Sequence, residues 1–327
     1  MNIDELSPDQ QPVVIIGAAR SGTNMLREVL TKIHGIGTWP CDEINYVWRY
    51  GNARYPTDEL LPRHATARVK HFIRKKFKQM AQGLNCHILV EKTCANSLRV
   101  PFVNEIFPHA RFIFLIRDGR DVVASALRRW KSPLNVSYIL QKARYVPCSD
   151  IPFYAGRYLN HRLQKIFSAS NSLPTWGPRY EGIDPHRKGM SLAEVAGMQW
   201  KCSVSKSDAA LKKIPQDRVL KIHYEEFVQN PSHVFPEILR FVTDSRQNLS
   251  AHVKAEKVLS EVHPSSANGW LQTLQKSDLK KIMPIIEDEL RRFNYPIPTD
   301  SAMQDCDNCS EPDLLQLGDN GSLKDVA

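Results

Sequence analysis

Four consecutive β-branched residues, Val13-Val14-Ile15-Ile16, run directly into Gly17-Ala18-Ala19-Arg20-Ser21-Gly22-Thr23-Asn24. Apolar residues then recur at Met25, Leu26, Val29, Leu30 and Ile33. An uninterrupted β-branched run is the pattern of a strand covered on both faces, and the spacing after it is that of a helix. Strand, glycine-bounded loop and helix, in that order, turn backbone amides and a helix N-terminus toward a phosphate. The two glycines stand five apart, as in a P-loop. A P-loop nucleotide hydrolase carries Lys and then Ser or Thr after the second glycine; here Thr23 and Asn24 occupy those places. The cation, Arg20, lies inside the loop instead. The pattern predicts a loop that grips phosphate without a metal. A ligand-free βα turn is the plainer alternative, but it leaves an arginine and two hydroxyls in the loop without a purpose.

Further strands are expected at His87–Val90, Arg111–Ile116 and Arg218–Ile222, with helices at Ser97–Phe107 and Gly119–Trp130. Strands alternating with helices imply an α/β fold of three layers, a central parallel sheet with helices on both faces and a P-loop-like phosphate-binding loop. Arg117-Asp118-Gly119-Arg120-Asp121 then falls at the carboxyl end of a strand, where open sheets of this kind bind ligands. Ser125 follows Arg117 by eight residues, in the second turn of the next helix. Arginine and serine so placed can converge on one anion. A surface network of Arg117 with Asp118 or Asp121 is the plainer alternative.

Charge supports an anionic partner. The chain carries a net +9, but the segment from Asp300 onward holds seven acids and one lysine. Residues 1–299 thus hold 43 basic and 28 acidic side chains, a net +15, which suits nucleic acid, a membrane surface or a phosphorylated small molecule. Residues 1–299 read as one domain, and 300–327 as an acidic, disordered tail. The stretch 131–190 breaks the strand–helix rhythm with eight aromatics and six prolines and reads as an insertion or lid. Arg63–Lys78, with seven Lys or Arg, reads as a basic helix with a solvated face. Seven irregularly spaced cysteines argue against a disulfide framework and for a reducing, cytoplasmic setting. Cys306 and Cys309 have metal-like spacing but no second pair, and zinc is the lesser reading. No apolar run approaches the length of a membrane span, and the first ten residues lack a basic leader.

Taken together, the two loops resemble the superfamily of sulfotransferases that use 3′-phosphoadenosine 5′-phosphosulfate (PAPS). Pro12 to Asn24 is similar to that family's 5′-phosphosulfate loop, and Arg111 to Ser125 to its 3′-phosphate motif, with Arg and Ser at the family's spacing. Three shorter matches follow in the family's order: Glu91-Lys92-Thr93, His223-Tyr224-Glu225-Glu226-Phe227 with Asn230-Pro231, and Ser265-Ser266-Ala267-Asn268-Gly269-Trp270. The resemblance spans about residues 12 to 295, without the insertion. It implies that the amides of Ser21, Gly22, Thr23 and Asn24 hold the 5′-phosphosulfate and that Arg20 neutralises charge on the bridging oxygen. It implies further that Arg117 and Ser125 hold the 3′-phosphate, that Tyr224 meets the adenine, and that Ser265, Gly269 and Trp270 close over the nucleotide. No metal is required in that scheme.

Transfer to an alcohol needs a base for the acceptor proton. Phenol-type members of the family place a histidine directly after Lys-Thr, and here that residue is Cys94. Glycan- and tyrosine-type members often use a glutamate, which points to Glu43 as base, 23 residues after Arg20, with Asp42 the fallback. A surface carboxylate is the plainer reading of Glu43. Lys92 would stabilise developing charge, or else simply pair with Glu91 or Asp118. The expected partners are PAPS, its desulfated product PAP, and a hydroxyl-bearing glycan, glycolipid or metabolite, with no nucleic acid. A P-loop small-molecule kinase and a non-catalytic nucleotide- or nucleic-acid-binding protein are the competing readings. Trp130 and Trp200 are expected in the core.

Overall fold

Strand β1, Val13–Ile16, is buried along its whole length, and its neighbours explain why. In this computed structural model, which describes residues 11–131, 144–152, 177–184, 189–243 and 267–297 together with Gly156, Leu259 and Val262, β1 is the middle strand of five. Helix α1 (Thr23–Thr31) leads to β2 (Ile36–Thr38); α2 (Asn45–Trp48) and α3 (Ala67–Leu84) lead to β3 (Ile88–Lys92). Helix α4 (Val100–Ile106) leads to β4 (Arg111–Ile116), and α5 (Gly119–Lys131) and α6 (Leu192–Leu211) lead to β5 (Val219–His223). Then come α7 (Tyr224–Gln229), α8 (Pro231–Thr243), α9 (Trp270–Thr273) and α10 (Lys276–Arg292).

All pairings are parallel, in the order β2-β3-β1-β4-β5. Val13 lies opposite Val90 on one side and Arg111 on the other. Alternate residues of each strand feed two separate cores. Val14, Ile16, Phe112 and Phe114 pack with α3, α4, α5, α6 and α10, whereas Val13, Ile15, Ile113 and Leu115 pack with α1, α7 and α8. This is the expected three-layer α/β architecture. The chain leaves β1 toward β2 and leaves β4 toward β5, in opposite directions. The crevice between their carboxyl ends is where such sheets bind ligands.

The structure corrects the element list in places. Strand β2 was not expected: Ile-Gly-Thr is too short and too mixed to announce itself, and it forms as an edge strand whose register is set by Ile36 against Ile88. The helix expected at Ser97–Phe107 is a 3-10 turn at Cys94–Leu98 followed by α4, with Pro101 in the first turn of the latter, where its missing N–H costs nothing. The basic stretch forms a 3-10 turn at Pro62–His64 and then, from Ala67, helix α3, capped by Thr66 and burying Val69, Ile73 and Phe77, with Arg68, Lys75 and Lys76 exposed. Among the described residues no helix is long and apolar enough to cross a membrane. The described ends of the 131–190 stretch pack onto the segment after β2: Tyr145 meets Trp39 edge-on at 5.4 Å, the Asp58 amide donates to Arg179 O at 2.7 Å, and the Arg179 amide donates to the Asp58 carboxylate (Oδ2) at 2.9 Å. The expected tail, 300–327, lies outside the described residues.

Candidate active site

The loop after β1 is closed by Ser21 N–H bonding to Ala18 O at 3.2 Å and runs into α1 with Leu26 N–H on Gly22 O. Arg20 (φ 75°) and Gly22 (φ 83°) both take the left-handed backbone that this tight reversal requires. A Cβ at Gly22 would lie 2.3 Å from the Tyr224 ring, so only glycine fits. The Ser21 amide is spent inside the loop, which leaves Gly22, Thr23 and Asn24 as the amides at the start of α1, where a helix has no partners of its own. Ser21 contributes differently: its hydroxyl is fully buried with no hydrogen-bond partner among the described residues. An orphaned buried hydroxyl beside open helix amides suits an anionic group, because such groups are costly to leave unmet.

Arg117 leaves the end of β4 and Ser125 sits on α5. The two grips expected to act separately are contiguous. Arg20 Nε donates to Ser125 Oγ at 3.0 Å, and Arg117 Nη1 donates to Arg20 O at 3.1 Å. The Arg117 guanidinium lies 4.4 Å from the centre of the Tyr224 ring and 3.7 Å from Asp121. Tyr224 is buried, with Gly22 against its edge and Arg117 over it. Burial lowers the pKa of Arg20, and Arg129, Arg117 and Arg128 lower it further. Four cations thus share one region, a field that an anion would relieve. Arg128 and Arg129 escaped the sequence reading, although they follow Ser125 by one helical turn.

The late loop is partly in place. Asp121 accepts from the amides of Asn268 and Trp270, each at 2.9 Å, and the Trp270 ring covers the Arg120 guanidinium at 4.3 Å. Gly269 lies between these two anchored residues. Ser265 lies outside the described residues.

At the other edge of the crevice, Lys92 is the last residue of β3 and donates to Glu43 Oε1 at 3.1 Å. The same oxygen accepts from Cys94 N at 3.3 Å. Lys92 is buried, whereas the Glu43 side chain keeps about a quarter of its surface. Burial works against the Lys92 charge, but Cys94, Glu43 and Asp42 outweigh it and raise its pKa above the ordinary lysine value. Burial pushes the Cys94 thiol up to about 12, so at neutral pH Cys94 is a neutral neighbour of both Lys92 and the Thr23 hydroxyl, 3.9 Å away. Glu91 does not pair with Lys92. It faces a buried network that sequence reasoning missed: Thr93 Oγ1 donates to it at 2.5 Å and Asn96 Nδ2 at 2.8 Å. Thr93 Oγ1 also accepts from Ile44 N at 3.1 Å, pinning the residue next to Glu43. Trp200 is core, as expected, and donates its indole N–H to Arg117 O.

Residues 12–145, which hold both loops, Glu43 and Lys92, match the model of the Sulfotransferase family. Comparison with curated proteins finds no match. Similar solved structures include the sulfotransferase domain from the curacin biosynthetic pathway, at 15% identity over 88% of this chain and 99% of that one, TM-score 0.49. The sulfotransferase domain of the Synechococcus PCC 7002 olefin synthase gives 15% identity over 88% and 96%, TM-score 0.48. A sulfotransferase from Alicyclobacillus acidocaldarius gives 17% over 90% and 99%, TM-score 0.44. Through the stretch that carries the loop after β1 and the exit of β4, the chain is similar to the Sulfotransferase family.

Proposed function

We propose that the protein transfers a sulfuryl group from PAPS to a hydroxyl of a glycan, glycolipid or metabolite, with Glu43 as the base. The observation that carries this reading is the pairing of Glu43 with buried Lys92 on one side of a crevice whose other side is a contiguous run of Arg20, Ser125 and Arg117. The orphaned Ser21 hydroxyl and the α1 amides would hold the 5′ end of the donor, and Arg117 with Ser125 its 3′-phosphate. When bound, the donor supplies the sulfuryl group. Arg20 and Lys92 offset negative charge that develops around it, from fixed positions that need no reorganisation. Glu43, the partly exposed member of its pair, faces an incoming acceptor and takes the hydroxyl proton. Lys92 and the Cys94 amide hold one of its oxygens and so fix the direction of the carboxylate. The five described cysteines are thiols, which fits a reducing, cytoplasmic setting.

A thermal-shift screen with PAP, AMP, ATP with Mg²⁺, and an oligonucleotide tests the donor class. PAP at about 100 times its dissociation constant should stabilise the protein by about 2.7 kcal/mol. Equal shifts with all four, or a shift with the oligonucleotide alone, would remove the reading.

A further inference from the structure

The peptide unit that joins Arg117 to Asp118 lies just past the last ladder pair of β4, Ile116 with His223. Its polar groups are instead met by side chains. The carbonyl accepts from Trp200 Nε1 at 3.0 Å, and the amide donates to Glu225 Oε1 at 2.9 Å. The second oxygen of Glu225 accepts from the Tyr295 hydroxyl at 2.9 Å, and His223 Nδ1 lies 3.3 Å from that hydroxyl. Tyr295 is aimed by the end of α10. Asn294 takes the left-handed conformation at φ 60°, its amide bonds to Arg291 O, and the Tyr295 amide bonds to Leu290 O. That pair of bonds is a Schellman turn, which fixes the direction in which the chain leaves the helix.

A peptide unit is planar, so holding it by both its carbonyl and its amide fixes the backbone torsions on either side. One of those torsions sets the direction in which the Arg117 side chain departs. We propose that Glu225 and Tyr295 are positioning residues for Arg117: they aim its guanidinium at the bound anion without touching that anion. This rests on the reading of Arg117 as the ligand of the 3′-phosphate. Trp200 completes the clamp, but it also fills the core, where Gly119 leaves room for it.

The test compares the binding of PAP and of AMP, which lacks the 3′-phosphate, by calorimetry in the wild type, Tyr295→Phe and Glu225→Gln. The wild type should prefer PAP. Tyr295→Phe should weaken PAP about fivefold and leave AMP within about twofold, the loss of one aligning hydrogen bond. Glu225→Gln, whose amide nitrogen replaces one of the two accepting oxygens and so faces either the Asp118 amide or the Tyr295 hydroxyl, should show the same selective loss. It supplies the same readout if Tyr295→Phe fails to fold. Parallel losses for both nucleotides, or unchanged PAP affinity in both variants, would overturn the clamp. Equal binding of PAP and AMP by the wild type would overturn the reading of Arg117 itself and the clamp with it.

Discussion

Arg20 Nε and Ser125 Oγ meet at 3.0 Å across 105 positions of sequence, which joins the loop after β1 to the helix after β4. In the proposed reading each residue belongs to a different anion grip, and the bond joins the two. Ser125→Ala should therefore weaken PAP by about tenfold, as a hydrogen bond to a charged group does. Calorimetry on Arg20→Ala, Ser125→Ala and the double variant checks it. The double variant should lose less than the two singles combined, because the residues act on the ligand together. Strict additivity would show that the bond has no bearing on binding.

Glu43 has a buried cation on one oxygen and an exposed flank. Glu43→Gln keeps the shape and an acceptor for Lys92 but cannot take a proton. Turnover should fall by about 10²-fold or more, with PAP affinity changed little. Single-turnover kinetics beside PAP titration read the two separately. Near-normal turnover would take Glu43 out of the proton transfer and leave Asp42 to be tried in the same way.

The sheet and the two loops were legible because their signals are local. Val13–Ile16 and Phe112–Ile116 are unbroken apolar runs, and the strands Val13–Ile16 and Arg111–Ile116 form at the expected bounds. Glu43 and Lys92 could be named by position, but not their 3.1 Å contact, since it depends on how the loop after β2 folds back over β3. The network of Glu91, Thr93 and Asn96 was invisible for a related reason. A glutamate in a strand reads as exposed or paired to the adjacent lysine, and only burial of that strand end by the segment around Ile44 makes it a core acceptor. Tyr295 and Glu225 meet through the exit angle of α10, which no periodicity encodes.

Gly22 carries both a left-handed φ of 83° and the Tyr224 ring against its Cα. Gly22→Ala should meet two penalties at once, strained backbone and a contact at 2.3 Å. Calorimetric melting should fall by an equivalent of about 2 kcal/mol or more, and PAP binding should be lost with it, as the loop can no longer sit against Tyr224. Gly83→Ala, in α3 with open space around it, is the matched control and should be neutral or slightly stabilising. Equal behaviour of the two variants would show that the loop tolerates a different conformation.

Glu91 is fully buried, and that burial, opposed by the bonds from Thr93 and the charges of Arg99 and Lys92, raises its pKa from 4.5 to about 7. Between those values the folded protein keeps the proton while the unfolded chain gives it up. The folded state then binds more protons, so stability falls as pH rises through this window and levels off above about 7. A shift of this size corresponds to about 3 kcal/mol between the two plateaus. Melting curves of the wild type and Glu91→Gln at pH 5, 6, 7 and 8 isolate the effect. Glutamine does not titrate, so the stability of the wild type relative to the variant should decline from pH 5 to 7 and then hold steady. Because Thr93 links Glu91 to the backbone beside Glu43, turnover should carry an ionisation in the same range that the variant lacks. A constant difference between the two proteins across pH 5 to 8 would mean that Glu91 keeps one protonation state throughout, and the buried network would then have no part in the pH response.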